Sequence, residues 1–329
     1  MLHPKWLRAL ALTFVAGMTA AAHADDEGCR ERGQPQISFI QFQSPNLAAP
    51  ASPLTIKGKL SLPGKVDGRW NCFPFGNKKY RHDKLPAVVL LHGTAGIDAR
   101  GNFYEEALNA AGIATLQIDM WEARGVTGLA NRPQLPILTY PDAFSALAFL
   151  SSQANIDPER IGVLGFSWGG VISLGTSERL YAGQFGGGRK FAAHVANYPV
   201  CYGANNAAIL HAFGVAPAQA GTQYLNLTGA PVLIQIGSKD SYDNSAAPCQ
   251  ALAAGVNPSN GGVVSVAEYP GAYHDFDRLM VPITAPDPFA NQGSYLLGLS
   301  AMPNVIAIPD VAQAYKSRER VTRFFRNNL

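Results

Sequence analysis

The chain has no long apolar run after residue 24, no Cys-x-x-Cys, no internal repeat and no surplus of basic charge. Each absence excludes something. Without a stretch of about 20 apolar residues, no segment beyond residue 24 can cross a bilayer as a helix. The four cysteines, Cys29, Cys72, Cys201 and Cys249, lack the paired spacings of a zinc site, so no metal is expected. Without repeats or a low-complexity linker, a solenoid or a tethered array of modules is not expected. Removing Lys5 and Arg8 with the first 24 residues leaves 24 of the 26 basic residues against 23 acidic ones, a net of +1. Nucleic acid is therefore not an expected partner, since few cations remain to neutralise phosphates. Lys316-Ser317-Arg318-Glu319-Arg320 reads as one solvated helix face.

What is present begins with a targeting segment. Lys5 and Arg8 precede the apolar run Ala9 to Ala22, and Ala22-His23-Ala24 has the small-x-small form of a secretory cleavage site. Residues 1–24 are expected to be a signal peptide, giving a periplasmic or secreted protein. An even number of cysteines then suggests disulfides. Three connectivities are possible, and Cys29 with Cys72 and Cys201 with Cys249 keeps each pair within one region of the chain. Residues 25–329, in a chain that is 47% apolar, can bury a large core and are expected to form a single α/β domain.

The chain is organised around Ile161 to Gly170, an apolar β-branched strand running into Gly165-Phe166-Ser167-Trp168-Gly169-Gly170. This pattern predicts a nucleophile elbow, in which a sharp strand-to-helix turn exposes a serine hydroxyl. A Cβ at Gly165 or Gly169 would collide with the turn. The plainer alternative is a tight turn whose Ser167 only caps the following helix.

Around the elbow, residues 37–43 and 54–62 read as edge strands, and Ala87 to Leu91 as a strand buried on both faces. The next strand is Ile113 to Ile118, after a helix over 103–111. A helix over 141–153, started by Asp142 or Tyr140-Pro141, feeds the elbow strand. Strands follow at 191–198, 231–237 and 263–269, with insertions at about 199–229 and 279–308 and a closing helix over 310–327.

His92-Gly93-Thr94-Ala95-Gly96, directly after a buried strand, can present a backbone N–H towards the elbow serine. With Trp168 N–H, that of Thr94 would supply the two donors that an oxyanion needs. His92 reads as structural. Trp121 and Arg124, in the exit loop of the next strand, are candidate pocket residues, with an ion pair or loop packing as the alternative for each. A triad in the order Ser, acid, His leaves His274 as the one histidine beyond Asp240. Asp240, in the exit loop of a strand, can orient it. Asp243 reads as a turn residue or one facing water, and Asp275 and Asp277 as loop carboxylates.

Four segments together, His92 to Gly96, Gly165 to Gly170, Gly237-Ser238-Lys239-Asp240 and Tyr269-Pro270-Gly271-Ala272-Tyr273-His274-Asp275-Phe276, resemble the dienelactone hydrolase-like branch of the α/β-hydrolases. Tyr198-Pro199-Val200-Cys201 and Cys249 also resemble exported or related members. The resemblance implies a mostly parallel central sheet with helices on both faces and a triad of Ser167, Asp240 and His274. The namesake enzymes have a cysteine where Ser167 stands and a glutamate where Gly93 stands, which argues against dienelactone itself as substrate. The expected activity is hydrolysis of a small carboxylic ester, without cofactor. A peptidase, amidase or lipase with the same triad, or a non-catalytic binding protein on this scaffold, is the alternative.

Overall fold

The computed structural model describes residues 33–65, 84–128, 131–206 and 226–329. The signal segment, Cys29, Cys72 and most of the first insertion lie outside the described residues.

The expected edge strands form an antiparallel hairpin, β1 (Gln36–Ser44) and β2 (Leu54–Leu62), at one side of an eight-stranded sheet. β2 runs antiparallel to β4 (Ala114–Asp119), and from there the sheet is parallel. In order across the sheet come β4, β3 (Leu85–Leu91), β5 (Ile156–Phe166), β6 (Ala193–Asn197), β7 (Val232–Lys239) and β8 (Val264–Tyr273). Every residue of β3 is buried, as its unbroken apolar run requires of a strand covered on both sides. Alternation divides that strand between the two faces. Leu90 joins one core with Tyr104, Phe166, Ile234 and Phe325, while Val89 and Leu91 join another with Phe144, Leu147, Trp168 and Ile172.

Helices cover both cores. α1 (Ala99–Ala110), α6 (Ala247–Asn260) and α7 (Val311–Asn328) lie on the first. α2 (Tyr140–Ser151), α3 (Trp168–Gly175) and α4 (Arg179–Phe185) lie on the second, and α5 (Cys201–Asn205) follows β6. α7 buries Ala314, Ser317, Val321 and Phe325, a helical spacing that gives one stripe to the core. Phe325 sits so close to the sheet that a Cβ at Gly162 would lie 2.6 Å from its ring.

Three elements differ from the sequence reading. α1 starts at Ala99 because Asp98 caps it, accepting from Arg100 N–H at 3.0 Å. Asp142 does not cap α2. It is buried, paired to Arg124 at 2.6 Å and bound by Ser44 Oγ at 2.6 Å, while Tyr140-Pro141, the other start read from the sequence, opens the helix. β8 continues through Pro270-Gly271 to Tyr273, because Gly237 lets the backbones meet. A Cβ there would lie 2.3 Å from Ala272 O.

The chain leaves β3 for β4 on one side and returns to β5 on the other. This reversal makes a crevice at the carboxyl ends of β3 and β5. The loops after those two strands are His92 to Gly96 and the Ser167 turn.

Candidate active site

Ser167 has φ 51° and ψ −109°, a left-handed backbone that a non-glycine residue adopts only when its surroundings enforce it. Here the enforcement is steric. A Cβ at Gly165 would stand 1.8 Å from Gly169 O, and one at Gly169 2.2 Å from Leu91 O. Gly170 is as constrained, with Asn197 O at 2.5 Å from any Cβ, so α3 packs directly on β6. Ser167 N–H donates to Asn197 O at 3.0 Å, which leaves Oγ to face the crevice.

β8 delivers His274 to the same place. Its Nε2 lies 2.9 Å from Ser167 Oγ and its Nδ1 2.6 Å from Asp240 Oδ2. With a proton on Nδ1 held by Asp240, Nε2 is the acceptor for the serine hydroxyl. Asp240 is itself fixed, since its Oδ1 accepts Tyr242 N–H at 2.8 Å and Asp243 N–H at 3.0 Å. All three side chains are buried. Burial alone would lower the His274 pKa, but the charge and hydrogen bond of Asp240, helped by Asp275, carry it above its ordinary value. The rings of Tyr198 and Tyr242 flank the imidazole at 4.7 and 4.4 Å.

The β3 loop faces this group. A Cβ on Gly93 would lie 3.4 Å from Ser167 Cβ. Thr94 is held by its other polar atoms. Trp121 Nε1 donates to its carbonyl at 2.9 Å, and Arg132 Nη1 donates to its Oγ1 at 3.0 Å. Among the described residues its N–H has no acceptor. Trp168 opens α3, so its N–H has no partner within the helix. His92 is a strut of this loop, with Nδ1 on Gly93 O at 2.8 Å and Nε2 accepting Met120 N–H at 3.0 Å, and burial lowers its pKa.

Trp121 stands at the crevice, edge-on to Trp168 with ring centroids 5.7 Å apart. Arg124 takes the ion-pair alternative rather than the pocket one, committed to Asp142 and to the carbonyls of Met120 and Leu138. Asp243 does not face water. It is buried and accepts Cys201 and Tyr202 N–H at 2.9 and 2.7 Å, starting α5, and burial followed by the charge of Asp240 pushes its carboxyl up to about 7. Cys201 and Cys249 form a disulfide between α5 and α6. The sequence reading missed Arg100, Tyr198, Asp277, Arg132 and Asp287. Asp277, taken for a loop carboxylate, is buried and accepts hydrogen bonds from Tyr104, Tyr198 and Asn197.

The family model for dienelactone hydrolases matches residues 75–326 of the chain. The protein belongs to the dienelactone hydrolase family. Among solved structures, it resembles a dienelactone hydrolase-like promiscuous phosphotriesterase from metagenomic libraries, at 15% identity and TM-score 0.52. That match covers 89% of this chain and 98% of the other. The hyperthermophilic esterase of Pyrobaculum calidifontis matches at 15% identity and TM-score 0.52, over 88% and 85% of the two chains. Fungal esterases of Rhizomucor miehei match at 16% identity and TM-score 0.52, over 90% and 85%. At these identities the shared property is the α/β-hydrolase fold. Two curated proteins of Mycobacterium tuberculosis, both described as uncharacterized, are 34% identical over 90 residues. That stretch is 27% of this chain and 31% of theirs, so the chain spans under a third of those relatives. Family membership supports a hydrolytic function for this dienelactone hydrolase relative.

Proposed function

We propose that this family member is an exported serine esterase. The reading is carried by one observation, the continuous path from Ser167 Oγ through His274 to Asp240 with links of 2.9 and 2.6 Å. Ser167 attacks the ester carbonyl as His274 Nε2 takes its proton, and Asp240 stabilises the imidazolium that forms. The N–H groups of Thr94 and Trp168 receive the negative charge on the carbonyl oxygen, and each is worth about 3 kcal/mol at the transition state. His274 passes the proton to the leaving alcohol, which frees an acyl-enzyme. A water activated by the same histidine then releases the acid. Protein groups supply every step of this sequence.

Export is part of the same reading. It rests on residues 1–24, on a disulfide between Cys201 and Cys249, and on the absence among the described residues of a helix able to cross a membrane. The mature chain would begin at Asp25 and form one domain.

The test is chemical. A fluorophosphonate should add to the intact protein once, on Ser167, as mapped by peptide mass. Ser167→Ala should abolish hydrolysis of p-nitrophenyl esters of graded acyl length while leaving the melting temperature nearly unchanged. Turnover retained by Ser167→Ala would sink the assignment. Hydrolysis of anilides in place of esters would move it to an amidase.

A further inference from the structure

The chain does not leave the site after His274. Residues 279–308 form a strap that contains a two-stranded hairpin, β9 (Ile283–Pro286) and β10 (Asn304–Ala307), and comes back to the base, Ala307 bridging to His274. At the end of β9, Asp287 is buried. Its Oδ1 accepts Phe289 N–H at 2.9 Å and its Oδ2 accepts Tyr242 Oη–H at 3.1 Å. Tyr242 is the residue whose ring lies against His274.

Arg132 joins this strap to the β3 loop. Its side chain is 10% exposed and reaches in two directions. Nη2 donates to Asp287 Oδ2 at 3.0 Å, and Nη1 donates to Thr94 Oγ1 at 3.0 Å. The guanidinium also lies over two aromatic rings, 5.4 Å from that of Trp168 and 5.3 Å from that of Phe289. It thus touches the side chains of both residues whose backbone N–H groups form the proposed oxyanion hole while it is paired to the strap. A planar fork holds Thr94 and Asp287 at once in a fixed geometry, whereas the rotatable donors of an ammonium do not fix the two relative to each other.

We propose that Arg132 is a positioning residue of the ester hydrolysis. It latches the 279–308 strap to Thr94, so that closing the strap and aiming the Thr94 N–H are one event. The inference rests on the reading of Ser167, Asp240 and His274 as a triad. Its energetic basis is that charge reaches the carbonyl oxygen only in the transition state, so a displaced donor costs rate more than substrate affinity. Arg132 reaches the chemistry through Thr94 and Trp168.

The experiment uses the full-length mature protein with p-nitrophenyl acetate. Arg132→Gln alone strands the buried Asp287 carboxylate, so the deciding variant is Arg132→Gln with Asp287→Asn, which removes the ion pair as a unit. It should melt near the wild-type temperature and still be labelled to completion on Ser167 by a fluorophosphonate. Its kcat should fall by about 10-fold to 100-fold, the loss that a displacement of about 1 Å produces, with KM within about twofold. Thr94→Val, which deletes only the acceptor, should lower kcat in the same way. Combined with the Arg132 pair it should add little, because all act through one contact. Arg132→Lys should recover melting temperature but not kcat. The acid limb of the pH profile should stay in place in every variant, since His274 is untouched.

A double variant with wild-type kcat, a loss expressed only in KM, or additive losses with Thr94→Val would overturn the proposal while leaving the esterase reading intact. A wild-type protein that neither labels nor turns over would overturn the esterase reading, and this one with it.

Discussion

Among the described residues, buried polar side chains behind His274 are paired except at Arg278 Nε, whereas four buried atoms on the opposite face of the sheet, around α3 and α4, have no partner. On the first face Asp277 accepts from Tyr104 at 2.6 Å, Asn197 at 3.1 Å and Tyr198. Gln235 extends the network to Asn197 at 2.8 Å and to Ser317 of α7 at 2.9 Å. Arg100, buried in the first turn of α1, binds Asp98, Tyr198 and Asp275. Four elements and the base loop are thereby fixed to one another. On the second face both carboxylate oxygens of Glu178, Nε2 of His194 and Oγ of Ser173 have no partner among the described residues, although each is buried. In a low-dielectric interior, satisfied networks specify geometry and orphaned groups cost stability. The satisfied face is the one that borders the triad.

The largest effect should come from breaking the paired face at its cation. Burial opposes the charge of Arg100, and Asp275 and Asp98 more than offset this, holding its pKa well above the ordinary value. Arg100→Met removes the cation and leaves Asp98 and Asp275 without it. The expected loss is about 3–5 kcal/mol of unfolding free energy, the scale for stranding one partner of a buried ion pair. Urea titration would measure it. A loss under about 1 kcal/mol, the range of an exposed pair, would mean that water reaches the network and that the contrast between the faces is false.

Repairing the open face should produce a smaller change of opposite sign. Burial raises the Glu178 carboxyl from 4.5 to about 9. A raised folded-state pKa confers stability that is complete below the unfolded value and is lost as pH rises through the folded one. Between pH 4.5 and about 9 the folded chain therefore retains a proton that the unfolded chain gives up, and stability declines across that window. Glu178→Gln keeps the shape and removes the titration. Its melting temperature should match wild type near the acid end and exceed it increasingly towards the alkaline end, by roughly 2–4 °C for each kcal/mol recovered. A constant offset, or none, would show that Glu178 is solvated.

The same contrast explains what could be read from the chain beforehand. The elbow, the β3 loop and the order Ser167, Asp240, His274 were legible because each depends on local features: an apolar run, glycines at a turn, or a position just past a strand. The eight-stranded sheet was legible on the same grounds. Arg100 was not. In sequence it stands at the start of a helix where an arginine ordinarily faces water, and its partners Tyr198 and Asp275 lie 98 and 175 residues away. Asp277 acquires its role from Tyr104, 173 residues away, and Asp287 from Arg132, 155 residues away, and Tyr242. The stop expected at Pro270-Gly271 fails for a related reason, since only the approach of Gly237 shows that pairing continues. Long-range charge pairing leaves no periodicity for a sequence to display.

The smallest predicted effect concerns the junction of the paired face with the chemistry. Asp275 Oδ1 lies 3.9 Å from His274 Nε2 and is held by Arg100. Its backbone has φ 56°, a conformation that asparagine accepts about as readily as aspartate, so Asp275→Asn should preserve the loop. The substitution removes a negative charge that helps to raise the His274 pKa and exposes the imidazole more fully to the charge of Arg100, which lowers it. In the proposed mechanism His274 must be neutral to accept the Ser167 proton, so that activity would be lost as pH falls through its pKa. The acid limb of kcat/KM should therefore move to lower pH by a fraction of a unit, with a modest fall in kcat as the imidazolium of the transition state loses a nearby carboxylate. A limb that stays in place would mean that Arg100 shields Asp275 completely and that the network positions the base without tuning it.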